Sequence, residues 1–142
     1  MRISITLNER DFTQTRQRTR QLPLSVARAF GEAAFVGAEV VERKLRALTP
    51  YDVNRSASKV GSHLRDNIAT YVRPYTIFGR RVTRGQAVVG VWEGHAHFVE
   101  FGTVTQAPQG FMRRAVQSSA AQVDSAIKTY LSSTLRSLGR RI

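Results

Sequence analysis

Leu24-Ser-Val-Ala-Arg-Ala-Phe-Gly-Glu-Ala-Ala-Phe-Val-Gly-Ala-Glu-Val-Val-Glu-Arg-Lys-Leu-Arg-Ala-Leu48 is followed at once by Thr49-Pro50. Apolar or small residues return at Val26, Phe30, Ala33, Gly37, Val41, Leu45 and Leu48, three or four positions apart each time. That period is one face of an α-helix. Pro50 closes it, because the residue before a proline is pushed out of the α region. At ~1.5 Å per residue the helix is roughly 37 Å long, which is long for a chain of 142 residues.

The same period recurs near the other end. Val116, Ala120, Val123, Ile127, Leu131, Leu135 and Leu138 predict a second long helix starting near Phe111, with Asp124 and Lys128 as an i,i+4 pair and Gly139 as its stop. Between the helices, residues 67–73 and 86–92 carry Val, Tyr and Trp and read as strands. They flank a stretch with Gly79, Gly85, Arg80, Arg81 and Arg84, so the pair reads as a β-hairpin with a basic arm at about 74–86. Ile3, Ile5 and Leu7 alternate with polar residues and predict a short first strand. Residues 94–110, with Gly94, Gly102, Pro108 and Gly110, read as irregular. The expected architecture is α+β: a small antiparallel sheet with a long hairpin arm, packed against two long helices, in a single domain over 1–142.

Composition narrows the function. Hydrophobic residues make up 42% and charged residues 23%, an ordinary globular balance. The absence of cysteine excludes disulfides, thiol catalysis and cysteine-based zinc sites. No apolar run approaches the ~20 residues that span a bilayer, and the residues after Met1 do not form a secretory signal. The formal net charge is +12, and all the basic residues except Lys44, Lys59 and Lys128 are arginine. Guanidiniums fit phosphates and carboxylates, so the field favours nucleic acid or an acidic protein as partner.

Chemistry is sparse. Glu93, His95 and His97 would share one face of a continuous strand and are competent metal ligands, but Gly94 weakens such a strand and the only other histidine is His63. No nucleophile elbow or P-loop occurs. The expectation is therefore no enzyme, no metal and no cofactor. Arginines cluster at 10–20, 80–84 and 136–141, with Tyr75 and Phe78 as the only aromatic residues placed to stack on bases at the arm. That pattern keeps a basic nucleic-acid-binding protein among the alternatives.

Three segments, in order, carry a resemblance. They are Gly61-Ser-His-Leu-Arg-Asp-Asn-Ile68, Ala96-His-Phe-Val-Glu-Phe-Gly-Thr103 and Ala107-Pro-Gln-Gly-Phe-Met-Arg-Arg-Ala-Val116. Together they resemble the tail-component family of long-tailed bacteriophages and prophages, the neck and tail-completion proteins, to which the minor tail protein Z of lambda-like phages is related. Val99-Glu100-Phe101-Gly102-Thr103 is the specific part of the match. Phe111, Met112 and Arg113 open the closing helix. The chain departs from the family pattern with His95 in place of a tyrosine, and with Gly110 and Arg114 in place of prolines. Loss of those prolines removes a source of rigidity from the start of the last helix.

Within the signature, Gly102 is read as a positive-φ or close-approach position. Val99 and Phe101, or Phe98 and Phe101 if the segment is a helical turn, would anchor it to the core. Glu100 has two readings: it accepts backbone N–H groups of the following loop, or it meets an arginine, which in a ring belongs to the neighbouring subunit.

The resemblance implies a virion structural protein at the head–tail junction, assembled in the host cytoplasm and working by assembly rather than catalysis. It implies a homo-oligomeric ring, hexameric by first expectation and dodecameric by second. The ring would contact head-completion or adaptor proteins on one side and tail-terminator or tail-tube proteins on the other, with DNA touched non-specifically and no membrane. On that reading Arg80, Arg81 and Arg84 line the channel or grip adjacent rings, and Gly31, Ala34, Phe35, Gly37 and Ala38 form a subunit interface. A tail-terminator ring is the nearest alternative.

Overall fold

The computed structural model describes residues 1–6, 24–51, 63–72, 76–77, 80–81 and 86–139. In chain order these form strand β1 (Arg2–Thr6), helix α1 (Leu24–Leu48), a single 3-10 turn (Leu64–Asn67), strands β2 (Ile68–Val72), β3 (Thr76–Ile77), β4 (Arg80–Arg81) and β5 (Gln86–Val91), a short helix α2 (Ala96–Phe101), and the long helix α3 (Phe111–Gly139). The architecture is α+β, as the periodicities imply.

β5 is the centre of a three-stranded antiparallel sheet ordered β1-β5-β2. β2 pairs with it from Ile68↔Val91 to Val72↔Ala87, and β1 from Arg2↔Gly90 to Thr6↔Gln86. Alternation along β5 sends Ala87, Val89 and Val91 into the core beneath the helices. Val88 faces the other side, where Tyr71 meets Trp92 edge-on with ring centroids 5.0 Å apart. Between β2 and β5, the arm contains a second, two-stranded ladder with Thr76↔Arg81 and Ile77↔Arg80.

α1 and α3 form the other layer. The buried row of α1 is small at its middle, with Ala33, Ala34 and Ala38 closed off from solvent and Val41 and Leu45 following. Gly37 is the closest point: a β-carbon there would lie 2.8 Å from Ile127 Cδ1 and 3.2 Å from Val123 Cγ1. The missing side chain lets the two helices approach. Near the far end of the pair, the Tyr130 hydroxyl donates to the Glu32 carboxylate, and this bond raises the phenol above its ordinary pKa.

The row of α3 that packs inward differs from the one read from hydropathy. In the first half of the helix, Met112, Ala115 and Ser119 are buried, while Val116 is 37% exposed and Ala120 is exposed. The reason is Ser119. Its hydroxyl donates to the Ala115 carbonyl at 2.7 Å, so it is buried with its hydrogen bond made, and a count of apolar residues passes over it. Further along, Val123 and Ile127 belong to both rows.

The last turn of α1 is tied to the sheet by Arg46. Its guanidinium holds Glu42 at 2.9 Å and donates to the carbonyls of Arg65 (2.8 Å) and Ile68 (2.6 Å). The Thr70 hydroxyl donates to the other Glu42 oxygen. Thr49 then ends the helix with its amide and its hydroxyl both directed to the Leu45 carbonyl.

Gly37→Leu should destabilise the fold by about 1–3 kcal/mol through overpacking. Ile127→Ala in the same chain should return part of that loss. Denaturant melts of the two single variants and the double variant read the coupling, and strictly additive effects would contradict the close approach.

Candidate functional site

The stretch expected to be irregular contains α2, and its helical phase decides which signature residues face inward. Ala96 and Glu100 are four apart and both buried, and Val99 packs partly against the core. Phe98 and Phe101 are three apart on the opposite face and are 49% and 70% exposed. The expectation that the phenylalanines anchor this segment is therefore corrected. The anchors are Ala96, Val99 and the acid, and the aromatic rings stand in solvent.

Glu100 is only 4% exposed, and its carboxylate is fully engaged within the chain. Oε2 accepts the Met112 amide at 2.8 Å and Oε1 accepts the Arg113 amide at 3.1 Å. Those amides belong to the first turn of α3, where N–H groups have no helical acceptor. The residue before the helix, Gly110, has no side chain to supply one, so a carboxylate ten residues upstream takes the capping role. A negative charge at a helix start also opposes the positive end of the helix dipole. The main chain runs in register with this bond: the Gly110 amide donates to the Glu100 carbonyl at 3.1 Å and the Gln109 amide to the Val99 carbonyl at 3.0 Å.

Gly110 has φ +56, where a proline, fixed near −65°, cannot sit. A proline there would also lose the N–H that bonds Glu100. The departure from the family pattern is thus a different construction of the same corner, and its rigidity comes from Glu100 rather than from a ring-locked backbone. Gly102 has φ +80 and ψ 178, a region open almost only to glycine. A β-carbon there would fall 2.6 Å from the Gln106 carbonyl oxygen and 2.8 Å from the Pro108 nitrogen. Thr103 closes the turn, its amide donating to the Gln106 carbonyl at 2.8 Å and its hydroxyl accepting the Gln106 amide at 3.1 Å. Val104 is fully exposed at the tip.

These elements leave an open groove of about 500 Å³ beside the start of α3. Met1, Phe101, Pro108, Met112, Arg113 and Val116 line it, with Glu100 and Gly110 at its base. Sequence reasoning missed this surface, because it placed Val116 in the core row and Phe101 among the anchors. The available signal was Ser119, whose spacing from Ala115 and Met112 gives the true phase.

The other expected residues divide. Phe111 and Met112 are buried and seat α3 in the core, whereas Arg113 is exposed. Ala34, Gly37 and Ala38, expected at a subunit interface, are enclosed between α1 and the rest of the same chain, which corrects their assignment; Gly31 and Phe35 are half-buried. Arg80 and Arg81 form β4, but their side chains lie outside the described residues, as do Arg84, Tyr75, Phe78 and the terminal Arg140 and Arg141. Glu93, His95 and His97 do not share a strand face, since β5 stops at Val91 and the chain turns into α2. His95 Nδ1 lies 3.2 Å from Glu93 Oε1, and the His97 ring rests on Phe98. Among the described residues no cluster of three His, Asp or Glu side chains is placed to hold a metal, and no helix is long and apolar enough to cross a membrane.

Two substitutions test the corner. Gly102→Ala should cost at least about 2 kcal/mol, combining a forbidden backbone region with contact against main-chain atoms. Glu100→Gln should cost about 1–3 kcal/mol, because one buried N–H then faces another N–H. Denaturant unfolding measures both, and hydrogen exchange at Met112 and Arg113 should accelerate in the second; unchanged exchange would contradict the cap.

Comparison with known proteins adds the family. No curated protein and no solved structure matches the chain. Residues 14–102, more than half of the sequence, match the family HK97-gp10_like, described as "Bacteriophage HK97-gp10, putative tail-component". The chain belongs to this bacteriophage HK97-gp10-like tail-component family, and its role is that of a structural, virion-associated part of a phage tail.

Proposed function

We propose that the protein acts at the head–tail junction, as a neck or tail-completion ring that joins the tail to the head and lets DNA pass. The observation that carries this reading is the family match over residues 14–102. Two physical features support it. The chain carries a formal net charge of +12, suited to a lumen that meets phosphates without reading bases. It also exposes Phe98, Phe101 and Val104 on a rigidly built corner, which is what a protein that works by contact rather than catalysis needs.

The ring is taken as homo-oligomeric, a hexamer first and a dodecamer second, closed by head-to-tail contacts. Gly31 and Phe35, half-buried on α1, are the residues of the expected interface that retain surface. Arg80, Arg81 and Arg84 of the arm are assigned to the channel or to the adjacent ring. The tail terminator is the alternative position on the same axis. The charge favours one further reading, a free basic nucleic-acid-binding protein.

Native mass by light scattering, at low and high salt, alone and with neck or tail-tube proteins, separates these. A discrete ring, or one that appears only with the partner, agrees with the junction role and gives the subunit number. A salt-sensitive monomer that ignores those partners and binds duplex DNA would replace it with the nucleic-acid reading. Phe35→Asp should weaken assembly more than folding; a variant that is misfolded as a monomer would place Phe35 in the core. Replacing Arg80, Arg81 and Arg84 together by serine should lower DNA retention or junction stability, and normal packaging would remove the arm from the channel.

A further inference from the structure

The groove beside the start of α3 has a composition that limits what fills it. Its walls are apolar: Phe101, 70% exposed, lines it together with Val116, Met1, Pro108 and Met112. Such a surface takes an apolar side chain. The backbone that carries Phe101 is fixed on its C-terminal side by Gly102 and the closed Thr103 turn, so the main chain of this wall is preorganised.

Charge limits the occupant further. Among the described residues that line the groove Glu100 is the only acid, and both its oxygens already accept backbone amides. Arg113 lines the groove and Arg114 follows it, both exposed. Among the described lining residues the one exposed charge is thus the Arg113 guanidinium. A second copy of this chain fits poorly for two reasons. Through this face it would bring the same Arg113 and Arg114 guanidiniums against one another. In addition, the apolar knobs Phe98 and Val104 belong to the same corner as the groove, so a knob-in-groove contact between copies would be two-fold and could not propagate round a ring.

We propose that this groove docks an acidic segment of a different protein, one apolar side chain seated between Phe101 and Val116 and neighbouring carboxylates against Arg113 and Arg114. Identifying that protein as a neighbour in the virion rests on the junction reading above; the chemistry of the groove does not. Rim charges of this kind set partner choice and make binding sensitive to salt.

The test uses the full chain and a labelled synthetic peptide with a Leu-Phe pair between two Glu-Asp pairs, beside a control in which lysines replace the acids. Binding is read by anisotropy, and the site by methyl NMR. The acidic peptide should shift the Met1 and Val116 methyl signals, bind more weakly as salt rises, and bind at least about tenfold better than the lysine control. Arg113→Glu keeps the backbone amide that bonds Glu100, so its thermal melt should stay close to the parent while its peptide preference reverses. Phe101→Ser should weaken both peptides. Shifts confined to other arginine-rich surfaces, indifference to Arg113→Glu, or concentration-dependent dimerisation through these methyls would overturn the proposal. Because only this chain and a peptide are present, lack of binding counts against the groove, whereas failure to assemble with neck proteins counts against the junction reading.

Discussion

The bond from the Glu100 carboxylate to the first amides of α3 organises the rest of the molecule. α3 is the longest of the described elements, and it packs against α1. Its direction is set where it begins, and that start has no capping side chain of its own because Gly110 precedes it. A buried carboxylate from α2 satisfies two orphan N–H groups and so couples a six-residue helix to a 29-residue one. Removing it would leave the buried Met112 amide and the partly buried Arg113 amide without their acceptors. Everything in the corner then follows from one requirement. Ala96 and Val99 hold the acid in place, Gly102 and Gly110 make the two backbone turns no other residue makes as easily, and Phe98, Phe101 and Val104 are left outside because α2 has only one inward face.

Rigidity here has been obtained by a different route from the one the family pattern describes. Prolines before and after the phenylalanine stiffen a backbone by fixing φ. This chain has glycine at 110, the most permissive residue, and gains stiffness from hydrogen bonds instead: two to the Glu100 side chain and two more along the main chain beside it. The two solutions are not interchangeable one residue at a time, since φ +56 excludes proline.

Much of the fold could be read before any coordinates. The periods of α1 and α3, the stop at Thr49-Pro50 and the strand-forming residues of β2 and β5 are strong local signals, and they are where the elements lie. Three features were illegible for physical reasons. Ser119 is polar by type but buried with its hydroxyl satisfied, which shifts the phase of α3. α2 is too short to show a period, and its acid stands between two readings, backbone amides or an arginine, until the amides it serves are located twelve and thirteen residues downstream. The small residues of α1 permit close packing whether the partner helix lies in the same chain or in another, and composition alone does not distinguish the two. The signature itself was legible as important, and of the two readings of Glu100 the structure has the one in which it accepts backbone N–H groups; that those amides open α3 was not legible.

The register of the sheet also carries a history. β1 is made first by the ribosome, yet its partner β5 lies some eighty residues later, and α1 likewise waits for α3. β2 and β5 are closer in sequence, so their pairing closes the shorter loop. Vectorial synthesis therefore includes a stage in which β1 has no partner strand and the small-residue face of α1 lies open. The Gly37 face of α1 is buried against Val123 and Ile127, so the tight contact between the two long helices cannot form until the middle of α3 has been made.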